Sequence, residues 1–344
     1  MTAKNFTLGW IPYWNLFPLK QEIIRHWGQQ VEWMKGHPTV INRAVNEGRA
    51  ALGPCSSICL LTNPGQEMAL PLGIASSGPV QSVYLAIKGD RDLEAEFMGR
   101  IAVREAVLRE MFHVAQQRFG DDMRGAAAWV WEQAHIHSSS VLAGGFLVPT
   151  LRLTQASAAS AAMVRVLYHL WFGTEGARAL LLGQESDGSD DGRLTLDLLI
   201  GDEALMRRST YHHVYDLGET WWRLTGLPFV FAVWQKSVSA AVSQGLFGIW
   251  RQRIWEVSEI AQARMKVDPS AYMPEVKPVD EAGRDIDLAA YWRAIDYRLG
   301  TNHFKGLLLY LNLARNILAG IQDDQSVVRI LRWQEWAHER SESH

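Results

Sequence analysis

Cysteine is scarce in this sequence, because only Cys55 and Cys59 occur among 344 residues. Two thiols so close together form neither a disulfide framework nor a complete set of zinc ligands. We therefore expect both to be buried and reduced, which is the usual state of free cysteine. The histidines also lack a third partner at a metal-binding spacing, so no metal site is expected.

Strong net charge and long apolar runs are also absent. The chain has 34 basic and 37 acidic residues, a formal net charge of −3, so nothing indicates nucleic acid or an anionic membrane as a partner. No apolar run reaches the roughly 18 residues of a membrane helix. Residues 1–10 contain no charged segment followed by a long apolar run, which a secretion signal requires. We expect a cytoplasmic protein that binds a small molecule.

Several common catalytic motifs are missing. The sequence contains no G-x-G-x-x-G, no phosphate-binding P-loop, no G-x-S-x-G and no H-E-x-x-H. These absences argue against dinucleotide-binding, nucleotide-hydrolysing, α/β-hydrolase and zinc-protease chemistry.

Short strand-like and helix-like segments alternate along two parts of the chain. At 344 residues the chain is long enough for more than one core. The pattern predicts an α/β fold with two lobes, of the periplasmic-binding-protein-like (type II) class, with a helical insertion and a helical C-terminal region. We assign residues 1–88 to lobe 1, completed by 235–344, residues 89–146 to the helical insertion and residues 147–234 to lobe 2.

The insertion is charged and helical, and it carries a widely spaced apolar stripe that includes Leu93, Phe97, Ile101, Leu108 and Phe112. A helix with one apolar face needs a surface to pack against. Two arrangements are open, a flap packed on its own chain or an arm of a homodimer. The density of charged residues favours packing on its own chain.

Hydroxyl and amide side chains recur where predicted strands end or helices begin. For any one of these positions, helix capping is the more common role. Their recurrence in both halves of the chain instead favours a cleft for an anionic, oxygen-rich ligand, because helix N-termini and hydroxyls bind carboxylates. The residues concerned are Asn15, Ser56, Ser57, Ser76, Ser77, Ser82, Thr154, Ser157 and Ser160. Gly201 and Asp202 lie between a predicted strand and a predicted helix, where Asp202 could cap the helix or bind a ligand hydroxyl.

Six stretches together resemble the chorismate dehydratases of the futalosine route to menaquinone. They are IPYWNLFPL, PTVINRAVNEGRAALGPCSSI, SSGPVQSVYL, LTQASAASAAMVRVL, LLIGDEAL and DLGETWWRLTGLPFVFAVW, in the order in which they occur. The resemblance covers most of residues 8–236 and implies the two-lobed binding-protein fold. It also implies elimination of water from chorismate to give 3-[(1-carboxyvinyl)oxy]benzoate, without metal or organic cofactor.

The resemblance implies roles for individual residues. Asn15 and Ser82 match positions associated with the reacting ring, where they would orient and polarise the substrate. Because neither is basic at neutral pH, a carboxylate of the substrate is the expected proton acceptor, with Asp202 as the second candidate base. Substrate would be bound by Ser56, Ser57, Thr154, Ser157, Ser160, Gly201 and Asp202. Ala51 replaces an acidic residue usual in the family, and Ala159 replaces a frequent Thr.

Two other functions remain open at this stage. The same fold serves non-enzymatic binding proteins, so the chain could be a cytoplasmic binding protein for an aromatic carboxylate. The insertion could alternatively make it a helper protein that docks a pathway partner, if the apolar stripe were exposed.

Overall fold

The computed structural model describes residues 6–136, 149–154, 157–182 and 194–318, with the backbone alone described for 174–182. The predicted boundary between the insertion and lobe 2, at residue 147, lies outside these residues. In the described part of the chain, no helix has both the length and the apolar character needed to cross a bilayer.

The first sheet has six strands in the order β2-β1-β3-β9-β4-β10. β1 runs parallel to β2 and β3, whereas β9 lies antiparallel between β3 and β4. The apolar run of β9 is buried over most of its length, as expected for a strand covered on both faces of a sheet. The strands are β1 Phe6–Trp10, β2 Val31–Lys35, β3 Leu52–Ser56, β4 Gln66–Ser76, β9 Phe229–Ser237 and β10 Asp296–Arg298.

The second sheet has four strands in the order β6-β7-β5-β8. β5 pairs antiparallel with both β7 and β8, and β6 runs parallel to β7. The chain passes from the first sheet to the second between β4 and β5, and it returns between β8 and β9. The strands are β5 Val83–Lys88, β6 Thr150–Arg152, β7 Thr195–Ile200 and β8 His213–Asp216.

Helices cover the two sheets and form the C-terminal part of the described chain. Two of them begin with proline close to the N-terminus, α1 and α2, where the missing N–H costs no hydrogen bond. Their bounds are α1 Phe17–Trp27, α2 Pro38–Asn46, α3 Cys59–Thr62, α4 Arg91–Phe119, α5 Met123–Ile136, α6 Ala158–Leu182, α7 Gly201–Arg207, α8 Leu217–Thr225, α9 Gln244–Val267, α10 Leu288–Arg293 and α11 Thr301–Ile317.

At two strands, the lobe that the sequence predicted is not the lobe that contains the strand's sheet. β5, which the sequence assigned to lobe 1, pairs only in the second sheet among the described strands. β9 extends beyond residue 234 and lies wholly in the first sheet. Strand alternation does not reveal sheet membership, because the partners of β5 are more than 100 residues away along the chain. We therefore propose lobe limits at the two passages between the sheets.

The helical insertion packs on its own chain, as the charge density predicted. Phe97, Ile101, Leu108 and Phe112 are buried in the core that also contains the second sheet, whereas Leu93 is 39% exposed. The buried Arg104 guanidinium donates to the carbonyls of Leu170 (2.8 Å) and Ala134 (2.7 Å). These charge-assisted bonds join α4 to α6 and α5.

The structure contains short strands that sequence reasoning missed. β2 follows α1 after one turn of 3₁₀ helix at Gly28–Gln30, and β10 lies in the C-terminal region that the sequence predicted to be helical. Both are edge strands of the first sheet. An edge strand of three to five residues has too few positions to show a clear two-residue period.

Candidate active site

A small cavity lies between the two lobes, at the ends of strands from both sheets. Its volume is about 60 Å³, well below the roughly 300–1,000 Å³ of pockets that enclose drug-sized ligands. The lobes must therefore separate to admit a larger ligand. Six of the nine residues predicted to act in catalysis or substrate binding line the cavity, namely Asn15, Ser56, Ser82, Ser157, Ser160 and Gly201.

Asn15 lies on a short turn of 3₁₀ helix that follows β1. Two hydrogen bonds hold the backbone of this turn. The Tyr297 hydroxyl donates to the Asn15 carbonyl (2.6 Å), and Trp292 Nε1 donates to the Trp14 carbonyl (2.7 Å). The side-chain oxygen Oδ1 of Asn15 is buried and has no hydrogen-bond partner among the described residues. A fixed backbone that presents a buried side-chain oxygen without a partner suits a group that binds a ligand.

Ser82 enters the site from the passage that joins β4 to β5. It is 2% exposed, and its carbonyl accepts a hydrogen bond from the Gly201 N–H at 2.7 Å. This bond ties the start of β5 to the start of α7. The two predicted catalytic side chains thus line one cavity.

Tyr291 is a buried neighbour of this pair that sequence reasoning missed. Its hydroxyl approaches Ser82 and Asn15, although no well-formed hydrogen bond to it exists among the described residues. Burial raises the pKa of Tyr291 well above its ordinary value, and the nearness of Ser82 opposes the rise. In the sequence Tyr291 belongs to a short amphipathic helix 209 residues beyond Ser82, and nothing in that pattern distinguishes it from a packing residue.

Gly201 begins α7 with a backbone φ of +57°, in the left-handed region that favours glycine. A Cβ atom at this position would lie 2.7 Å from ring carbons of Tyr13. The Tyr13 ring of the first lobe therefore packs directly on the backbone of the second lobe. A side chain at Gly201 would hold the lobes apart.

Ser56 and Ser57 differ in their surroundings. Ser56 is held by Asn42, whose Nδ2 donates to the Ser56 hydroxyl (3.0 Å) and whose Oδ1 accepts from the Ser56 N–H (2.9 Å). Ser57 is fully buried and does not line the cavity, and its hydroxyl has no partner among the described residues. Only Ser56 is therefore placed to touch a ligand in this conformation.

The N-terminus of α6 brings two further hydroxyls to the cavity. Ser157 immediately precedes the helix, and its Oγ donates to Ser160 Oγ (2.9 Å) and accepts from the Ser160 N–H (3.3 Å). Ser157 thus caps the helix and also faces the cavity, so the two roles coexist. Thr154 is partly buried and is not among the lining residues.

Asp202 connects the two lobes and does not line the cavity. Its carboxylate Oδ1 accepts a hydrogen bond from the Trp14 N–H at 3.0 Å. Burial raises the pKa of Asp202 to about 6, and the Trp14 amide opposes this rise. The carboxylate is therefore engaged in holding the Asn15 turn rather than facing a substrate.

The cavity lining is uncharged. No Lys, Arg, His, Asp or Glu side chain is present among the described residues that line it. Ala51 and Ala159, the two departures from the family pattern, are buried elsewhere. Binding of an anion in this cleft would rest on hydroxyls, amides and the N-terminus of α6.

A model of the menaquinone biosynthesis family matches residues 6–109 and 134–316. The chain belongs to this family. The unmatched residues 110–133 form the far end of α4, the turn and most of α5. No curated protein sequence matches the chain.

Solved structures support the fold. The CA3427 gene product of Candida albicans, described as having the generic periplasmic binding protein fold, is 10% identical with a TM-score of 0.52, covering 96% of this chain and 95% of that one. Protein AF1704 of Archaeoglobus fulgidus is 8% identical (TM-score 0.45, 98% and 99% covered). The alkanesulfonate-binding protein SsuA of Xanthomonas axonopodis pv. citri is 9% identical (TM-score 0.42, 99% and 94% covered). The first supports the periplasmic-binding-protein-like fold of this family member, and the other two are too distant to add to it.

Proposed function

We propose that the protein is a chorismate dehydratase, a carbon–oxygen lyase that converts chorismate to 3-[(1-carboxyvinyl)oxy]benzoate. The observation that carries this proposal is the meeting of Asn15 and Ser82 in one uncharged interlobe cavity. Membership of the menaquinone biosynthesis family supports a biosynthetic role. The motifs that resemble the chorismate dehydratases support the choice of this step.

The chemistry requires few ionisable protein groups. The C–H bond at the ring carbon that carries the enolpyruvyl ether breaks, and its electron pair moves into the ring. The hydroxyl on the adjacent carbon leaves and takes up a proton, so that water and an aromatic ring are formed. A carboxylate of the substrate accepts the first proton, which fits a cavity lined by no charged side chain among the described residues.

Asn15 and Ser82 have the roles of fixed hydrogen-bonding groups in this reaction. Negative charge develops on the ring and its conjugated carboxylate as the proton leaves, and preorganised donors stabilise such charge in a site that excludes water. The backbone of each residue is already held, Asn15 by Tyr297 and Ser82 by Gly201. Ser157 and Ser160 bind the second carboxylate at the N-terminus of α6.

The first test is turnover of chorismate by the purified protein. We expect the aromatic product, identified by chromatography and mass spectrometry, without added metal and unchanged by chelator. Binding of chorismate without product would instead support the second candidate, a non-enzymatic binding protein for an aromatic carboxylate. A cavity lining without a charged side chain among the described residues also suits that candidate, because it offers no general base.

Replacement of Asp202 by Asn tests the assignment of the base. The raised pKa of about 6 means that the closed lobes favour the protonated carboxyl. Closure is therefore favoured fully below the ordinary carboxyl pKa, and this contribution is lost as the pH rises through about 6. The amide that replaces the carboxyl is neutral at every pH and keeps an oxygen for the Trp14 N–H.

We expect Asp202→Asn to keep kcat within about threefold of wild type, because a positioning carboxylate replaced by an isosteric acceptor keeps its hydrogen bond. The Michaelis constant for chorismate should lose its dependence on pH between about 4 and 7, the window set by the shifted pKa. Steady-state kinetics over this range provide the measurement. A loss of about 10²-fold or more in kcat, with folding intact, would identify Asp202 as the base.

A further inference from the structure

The passage from β4 to β5 contains a backbone conformation that needs support. Gln81, immediately before Ser82, has a φ of +61°, and it is the one non-glycine residue with positive φ in the described part of the chain. This region is unfavourable for residues with a Cβ atom. A residue kept in such a conformation is held there by its surroundings.

Asp216 supplies that support from the end of β8. Its Oδ2 accepts a hydrogen bond from the Gln81 N–H (2.7 Å), and its Oδ1 accepts from the Val80 N–H (3.0 Å). Oδ1 also accepts from the Glu219 N–H (3.1 Å), which caps α8. One buried carboxylate thus binds consecutive amides of the passage and the start of a helix. Hydrogen bonds from amides to a carboxylate are stronger than those between neutral groups.

The conformation of Gln81 determines the direction of Ser82. The Ser82 carbonyl accepts from the Gly201 N–H, and the Ser82 side chain lines the cavity. If Gln81 relaxed to a negative φ, the peptide that follows it would rotate. Ser82 would then lose both its bond to Gly201 and its direction towards the cavity.

We propose that Asp216 is a positioning residue for Ser82, which it orients by holding the left-handed conformation of Gln81. The inference rests on the proposed function, since it assigns to Asp216 an effect on the reaction of Ser82. Asp216 does not line the cavity and touches no substrate. Its effect on catalysis therefore passes through the backbone of residues 80–82.

The test compares Asp216→Asn, Gln81→Gly and the double variant. The carboxylate of Asp216 accepts hydrogen bonds with both of its oxygens, whereas an asparagine side chain has one oxygen acceptor and a nitrogen that only donates. We expect Asp216→Asn to lower kcat for chorismate about 10- to 100-fold, the scale of a misplaced transition-state donor, with a change in KM below about threefold. Gln81→Gly should resemble wild type, because glycine adopts positive φ without strain.

The double variant decides between positioning and simple helix capping. Glycine at position 81 removes the strain that Asp216 must hold, so we expect it to restore most of the kcat lost in Asp216→Asn. Asp90→Asn is the matched control, because Asp90 caps α4 through the Asp92 N–H and lies away from the cavity. Its kcat should equal that of wild type. A loss in Asp216→Asn that Gln81→Gly leaves unrescued would overturn the proposal.

Hydrogen–deuterium exchange separates this inference from the proposed function. In Asp216→Asn, faster exchange is expected at Val80, Gln81 and also at Gly201, whose acceptor is the Ser82 carbonyl. Faster exchange confined to the start of α8 would indicate a cap alone and refute the inference. If the wild-type protein leaves chorismate unchanged, the proposed function fails, and the exchange at Gly201 still decides the role of Asp216.

Discussion

Replacement of Asn15 by alanine is expected to lower kcat for chorismate by about 10²- to 10³-fold, the usual loss when one donor to developing charge is removed. The amide lies on a turn whose backbone is anchored by Tyr297 and Trp292, so the variant should fold normally. Its Oδ1 has no partner among the described residues, and truncation therefore breaks no internal bond of that oxygen.

Ser82→Ala is expected to give a loss of the same order, because the Ser82 hydroxyl faces the same cavity while its carbonyl keeps the bond to Gly201. Asn302→Ala is the matched control, since Asn302 is exposed in the first turn of α11. Steady-state kinetics and thermal unfolding of the four proteins give the comparison. Near wild-type turnover in both site variants would assign the chemistry to other residues.

Most of the polar residues that line the cavity could be predicted, because they lie where strands end or helices begin. Asn15 follows β1, Ser56 ends β3, and Gly201 follows β7. Polar residues at such positions converge when the strands of two sheets face one cleft. The local order of the chain therefore contained the information that identified them.

The supporting contacts could not be predicted, because each joins residues far apart along the chain. Asp216 is 135 residues from Gln81, and its sequence context is that of an ordinary helix cap, which it also is. Tyr291 lies on a helix of six residues with no unusual pattern. Contacts of this kind depend on how distant parts of the chain pack together, which cannot be read from the pattern of a single sequence.

Asp202 and Thr154 were predicted to face the cavity but do not line it. Their positions next to a strand end and a helix start resemble those of the cavity residues. The Asp202 side chain turns back to the Trp14 N–H of the other lobe. The position of a residue along a strand or helix determines where its backbone lies. The direction of a polar side chain also depends on which hydrogen-bond donors and acceptors surround it.

The uncharged lining bears on how the cleft would hold a dianion. A lysine or arginine would bind a carboxylate in the open cleft as well as in the closed one, since a point charge acts at longer range. Hydroxyls and amides bind only at contact distance, and those of this cavity come from both lobes. If the proposed function holds, recognition of the dianion is therefore coupled to closure of the lobes.

The largest loss of stability is expected in the second lobe, where α4 contributes to the core. Phe97 is fully buried, and its ring lies near the rings of Phe172 (centroids 6.3 Å apart) and Tyr215 (6.4 Å). Truncation of a buried phenylalanine costs about 3–5 kcal/mol, because transfer free energy is lost and a cavity remains. Phe97→Ala should therefore lower the unfolding free energy of the second lobe by this amount.

Val103→Ala on the same helix is the matched control, because Val103 is 70% exposed and such substitutions usually change stability by less than about 0.5 kcal/mol. Urea unfolding of the two variants and the wild type, followed by circular dichroism and by chorismate turnover, gives the measurement. Activity in Phe97→Ala should disappear at the urea concentration where the second lobe unfolds, and at a lower concentration than in wild type. A loss below about 1 kcal/mol, far under the cost of a buried aromatic cavity, would show that α4 is separable from the lobe, and the helix would then be a peripheral layer rather than part of its core.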